Sequence, residues 1–539
     1  MKNHRKIPEE AGGISSQPTV GTFFEENTLA LDLTLAAGQT IEQLSCNVDL
    51  YLTGEIALNG QVLTLANNCG SIYLNGVLSG TGQIRKTGSG WLQLGGAGAN
   101  TYSGGFTMLG GTLAIEKSAY NGAITGSFTN GPGTWTIVNR SDQIADSALV
   151  VVERASELWF YGSDTIGGLV LAGGEVETGG YTLFLNGDCT VEPSDLTSLI
   201  TGYLRLTRTP ARFQVSNGSA DPDLKVEAAV SGYVDLVKSG AGQMHLRGTN
   251  TYTGTTTVNE GRLHLYSSQA LGTTDAGTVV NSNANLFVEN VHIGGEPLTL
   301  NVRLPTVALY ASGNSSWSGP VTLGTNVSLH ADGTMTFSNA LSGPGSLRLT
   351  GQTFEFAGNV TNTYAGDTTV MCRELRLNHS DIGTAYAIPG DLIVGGGSAA
   401  SNVVKLLRCC QMPNWTDVTI LTNGVFNLNG YAESLGGLIF QGGRVDTGGG
   451  LLTLNNDVHF LASDRTAEIT GRLGLGAATR TFLVQQGLAY PAAHISADIA
   501  GIGGLTWRGS PESDDSPTVM LYGGSNSYAG LTTITNLAL

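Results

Sequence analysis

The sequence predicts an all-β chain, a right-handed parallel β-helix (β-solenoid) built from tandem repeats, and three observations carry that prediction. One phrase is written four times: NTYSGGFTMLGGTLAI at Asn100 to Ile115, NTYTGTTTVNEGRLHL at Asn250 to Leu265, NTYAGDTTVMCRELRL at Asn362 to Leu377, and a worn NSYAGLTTITNLAL at Asn526 to Leu539. No capped segment of helical period lies between the copies. The repeat tyrosines Tyr102, Tyr252, Tyr364 and Tyr528 are unevenly spaced, which suits stacked coils that tolerate loops of unequal length. Blade signatures such as a WD dipeptide are absent.

Within a copy the phrase reads strand, turn, strand. The β-branched run Thr255 to Val258 favours extended backbone, Glu260 and Gly261 offer a turn with φ > 0, and Leu263 and Leu265 fall on one face by period 2. A G-x-G turn and a short alternating strand precede the first three copies: KTGSGWLQL at Lys86 to Leu94, KSGAGQMHL at Lys238 to Leu246, and SGPGSLRL at Ser342 to Leu349. A longer period lies beneath. GGLVLAGGEVETGGYTLFLNGDCTV from Gly167 aligns without a gap to GGLIFQGGRVDTGGGLLTLNNDVHF from Gly436, an offset of 269 with 13 identities in 25 positions. The chain therefore reads as a duplication: a loosely docked or disordered segment 1–20, a first supermodule 21–270 and a second 271–539.

Composition narrows the function. Only 13% of residues are charged, glycines number 77 and the formal charge is −17. That charge repels phosphate backbones and anionic lipid, so nucleic-acid partners are not expected. The first 20 residues lack the apolar core of a secretion signal, and no 18-residue apolar run predicts a membrane helix. Cys46, Cys69, Cys189, Cys372, Cys409 and Cys410 have no C-x-x-C spacing and are expected as small buried apolar residues, with one thiol of the 409–410 pair exposed.

The pattern K-[TS]-G-x-G-x-[LM]-x-L followed by N-T-Y-[ST]-G-x-x-T-[VM]-x-x-G-x-L-x-[IL] resembles the autotransporter-associated β-strand repeat of passenger regions in type V secreted bacterial proteins. Lys86 to Ile115 and Lys238 to Leu265 carry it best; the later copies have lost the Lys and part of the G-x-G approach. The resemblance implies a secreted or cell-surface parallel β-helix.

Chemistry is sparse. Asp221 and Asp223, and Glu512, Asp514 and Asp515, are expected in solvated loops. His245 and His264 occupy the x of L-x-L-type strands and are expected as solvated outward residues. The G-x-G turns at Gly80 and Gly240 are followed by Arg85 and His245 where a dinucleotide site needs glycine, so they read as coil corners. The repeat tyrosines read as corner residues whose phenols, with the neighbouring amides, satisfy turn backbone. No catalytic, cofactor or metal site is expected. One ligand-contact candidate stands out: aligning ELWFYG (Glu157 to Gly162) with VFNLNG (Val425 to Gly430) makes Leu158 and Phe160 the buried pair, leaving Trp159 and Tyr161 outside beside Glu157. The expected role is a structural, adhesive passenger at the bacterial cell surface, binding glycan or extracellular protein. A polysaccharide lyase or hydrolase is the alternative, and end-to-end self-association is expected around Leu531 to Leu539.

Overall fold

Alternation turns every second strand residue inward, and in this chain those residues form continuous ladders. The computed structural model of the protein describes residues 4–6, 14–16, 25–380, 385–510 and 517–538. Among the described residues it has no helix; it is about 51% strand, with stacked parallel coils forming a β-solenoid of about 22 turns. The chain divides into two compact units, Met1–Ala276 and Gly277–Leu539. In the first, Gln83–Thr87 pairs in parallel with Val62–Asn67 on one side and Phe106–Met108 on the other. Leu63, Ile84 and Phe106 are thus vertical neighbours, and all are fully buried. A second ladder runs Ile72, Leu92, Leu113, Thr136, Leu158, Val176, Ile200. In the second unit, Val327–Phe337, Leu347–Gly358 and Glu374–His379 stack likewise. Each fully buried Leu or Ile contributes on the order of 1.5–3 kcal/mol of transfer free energy.

The repeated phrase is the hardware of one corner. Asn100 accepts the Leu78 N–H at 2.9 Å and donates to the Ala123 carbonyl at 2.8 Å, so one amide ties the coil below to the coil above. Asn250 does the same between Val230 and Ala270, and Asn362 between Leu341 and Ala387. Beyond the expected turn backbone, the phenols of Tyr252, Tyr364 and Tyr528 meet the hydroxyls of Thr256, Thr368 and Thr532. Tyr102, which has Phe106 where the others have Thr, reaches the carbonyl of Ala123 at 3.4 Å.

The motif lysine closes a second corner. Lys86 Nζ donates to the carbonyls of Thr87, Gly88 and Gly110, and Lys238 Nζ to those of Ser239, Gly240 and Glu260. Each buried ammonium therefore pins a G-x-G turn to the turn stacked on it. Burial pushes both lysines down to about 8, and the carbonyl cage suits the protonated form still present at neutral pH. Gly261, at φ +66°, sits on this stack; a Cβ there would fall 2.5 Å from the Gly242 carbonyl.

Four expectations need correction. Cys46 and Cys69, one coil apart, form a disulfide, while Cys189 and Cys372 are free and buried as expected. Cys409 and Cys410 are not extended: Cys410 has φ +59°, and both are half-buried. Asp223 is buried, not solvated. Its carboxylate accepts the N–H groups of Gly218 and Gln243 and so braces two coils, whereas Asp221 is exposed. His245 points outward yet is only 7% exposed. It packs against His264 (4.8 Å) and Tyr266 (5.0 Å), and the Arg247 guanidinium lies 3.8 Å over the Tyr266 ring. Burial, then the neighbouring His264 and basic groups, push His245 down to about 3, which keeps it neutral. Of residues 1–20, His4–Lys6 and Ile14–Ser16 are strands paired with Asp32–Thr34 and Gln39–Gln43. The rest of that segment, and Glu512, Asp514 and Asp515, lie outside the described residues.

Candidate ligand-contact surface

Register decides which outward residues meet. The strand Glu157–Phe160 buries Leu158 and Phe160, and Phe426 and Leu428 are buried in the second unit. Trp159 and Tyr161 are left on the outer face, Trp159 half-buried and Tyr161 50% exposed. Parallel pairing with Trp135–Val138 sets Trp135 beside Glu157 and Ile137 beside Trp159. Trp135, 37% exposed, packs edge-on against Trp159 at 5.2 Å, and Trp159 against Tyr161 at 6.5 Å. Three aromatic rings thus form one outer cluster. The Trp159 Nε1 is buried without an acceptor, so Trp159 contributes ring surface and no donor.

Carboxylates flank the rings on the next coils. Glu157 pairs in register with Glu175, and Trp159 with Glu177. Burial, then Glu157, Glu177 and Glu227, hold the Glu175 carboxyl above the usual carboxylate range. A notch of about 330 Å³ opens beside them, lined by Glu157, Gly174, Glu175, Leu196, Leu199 and Lys225. The arrangement offers aromatic faces for stacking and carboxylates that accept hydroxyl donors.

The structure therefore brings Trp159, Tyr161 and Glu157 to one surface. Trp135 is the member that sequence reasoning missed. Its partner is set by coil length, and only the aromatic content of GTWTIV at Gly133 to Val138 hints at it. Among the described residues no group of three or more His, Cys, Asp or Glu could hold a metal ion.

Comparisons with known proteins bear on the whole chain. Residues 84–115 and 236–265 match the family model of the passenger-associated-transport-repeat. Over 98% of its length, at 25% identity across 659 aligned positions, the chain is similar to the adhesin BmaC autotransporter of Brucella suis biovar 1 (strain 1330), and it spans 18% of that protein.

Proposed function

We propose that this autotransporter passenger-like chain is an adhesive β-solenoid, displayed at or beyond the cell surface, which binds glycan or extracellular protein through the outer face of its first unit. The observation that carries the reading is the Trp135–Trp159–Tyr161 cluster beside Glu157, aromatic surface that the interior does not use. Single exposed aromatics are ordinary on a protein surface, but three in contact on adjoining coils are a feature of contact patches. Similarity to an adhesin supports the same reading. A sugar ring laid on these faces would offer its hydroxyls to Glu157, Glu175 and Glu177; a protein ligand would bring apolar and basic side chains.

The test is a glycan and matrix-protein binding screen of the full chain against Trp159→Ala and Tyr161→Ala. Loss of at least one ligand at unchanged melting temperature is expected, and unchanged binding removes the proposal. Release of reducing or unsaturated ends from a bound glycan would overturn it differently, by making Glu157 and Glu175 a catalytic pair.

A further inference from the structure

We infer that the second unit holds a binding site of its own, a notch at Arg444 and Arg465 that takes an acidic sugar, with the sugar's carboxylate or sulfate on the two guanidiniums. The place is fixed by the duplication. Gly173 to Glu175 align with Gly442 to Arg444, and Asp195 to Thr197 with Asp464 to Thr466. The register agrees, since Glu175 pairs with Leu199 and Arg444 with Glu468 at the same offset. The two notches therefore occupy one position on the coil and carry different chemistry. Where the first unit has Glu175, Leu196 and Leu199, the second has Arg444, Arg465 and Glu468.

The second notch is larger, about 610 Å³ against about 330 Å³, and lies within the roughly 300–1,000 Å³ typical of small-ligand sites. It is also braced. The Asn423 amide donates to the carbonyls of Gly397 and Ala399 and to Asn402 Oδ1, and its own oxygen accepts the Gly396 N–H. The residue aligned with Asn423 in the first unit is Ala155, which cannot hold a loop back in this way. The floor stays open because Gly443, at φ +76°, has no room for a side chain: a Cβ would sit 2.3 Å from the Leu421 carbonyl.

The guanidiniums are uncommitted. Among the described residues neither Arg444 nor Arg465 makes an ion pair or a side-chain hydrogen bond, although Glu468 is the register partner of Arg444. Asp464 is unpaired too, whereas its counterpart Asp195 is bound by Arg154 at 2.8 and 2.9 Å. Two planar forks match a carboxylate or sulfate. Asp464 and Glu468 accept hydroxyl donors and repel a bare anion or a polyphosphate chain, so the lining as a whole fits a sugar that carries one acidic group among hydroxyls.

The experiment is titration of the full chain, followed by ligand-observed NMR, with glucuronic acid, glucose 6-sulfate and glucose. At least one acidic sugar should bind at least tenfold tighter than glucose, and comparing the two acids tells carboxylate from sulfate. The double variant Arg444→Glu, Arg465→Leu carries the residues of the sister notch, which that backbone already accommodates, and should lose the acidic sugar at least tenfold. Arg472→Gln, at an exposed arginine outside the notch lining, should leave it bound. Equal binding of glucose, no binding of either acid, or full retention in the double variant overturns the inference.

Discussion

Asp164 and Glu433 stand 269 residues apart, one in each unit, and the two sites are nearly superposable in kind. Each is a buried carboxyl that accepts the N–H of a glutamine on the preceding coil, Gln143 at 2.9 Å and Gln411 at 2.7 Å. Each glutamine amide in turn donates to the carbonyl two residues before it, Ser141 or Cys409. The notches at Glu175 and Arg444 occupy equally equivalent places, yet there Glu175 is exchanged for Arg444 and Leu196 for Arg465. The difference teaches where the constraint lies. An unpaired buried polar group costs about 1–3 kcal/mol, so the interior network survives duplication only as a set. An outward side chain has water as an alternative partner and is free to diverge.

The largest expected effect tests whether the interiors are equivalent. Asn250→Ala strands the Val230 N–H and the Ala270 carbonyl, and Asn362→Ala strands their counterparts at Leu341 and Ala387. Each should cost about 2–5 kcal/mol by urea unfolding. A twofold difference between them would break the comparison. Next comes the covalent asymmetry: Cys46–Cys69 lies in the first unit alone, and its sequence separation of 23 implies a contribution of about 3 kcal/mol. Reduction should raise hydrogen exchange across residues 46–69 and leave the second unit unchanged.

Much of the fold is legible in the sequence because period 2 marks Leu92, Leu158 and Phe426 as inward without any long-range information. The lysine corner is less so. Lys86 and Lys238 fall on the inward phase of Ile84-x-Lys86 and Leu236-x-Lys238, a signal easily set aside because charge is expected outside. What sequence cannot supply is the coil length that decides vertical neighbours. That quantity pairs Trp135 with Glu157 and Cys46 with Cys69. It also gathers residues 400–468 into one notch, although the exchange of Glu175 for Arg444 is visible in the aligned duplicate.

The third prediction concerns pH. Burial pushes Asp164, Glu433 and Glu296 each up to about 7, well above their unfolded values. Through these three groups the folded state binds more protons than the unfolded one between about pH 4 and pH 7, and the stability they contribute falls as pH rises through that window. The urea midpoint should be lower at pH 8 than at pH 5. Asp164→Asn and Glu433→Gln should each flatten the slope, by similar amounts if the units are equivalent. The smallest effect belongs to the exterior: Asp195→Asn breaks the exposed Arg154 pair and should leave the melting temperature unchanged within error.

We propose that the interior holds the solenoid together while the outer rings bind. One measurement meets it directly: adhesion of beads coated with full chain to a ligand found in the screen, scored per folded molecule. The comparison sets Trp135→Ala combined with Trp159→Ala against Asn250→Ala. The aromatic variant should lose adhesion at an unchanged melting temperature, and the asparagine variant should lose stability but, while folded, adhere as wild type does. Adhesion that survives removal of both tryptophans, or that falls in step with stability in both variants, would contradict it.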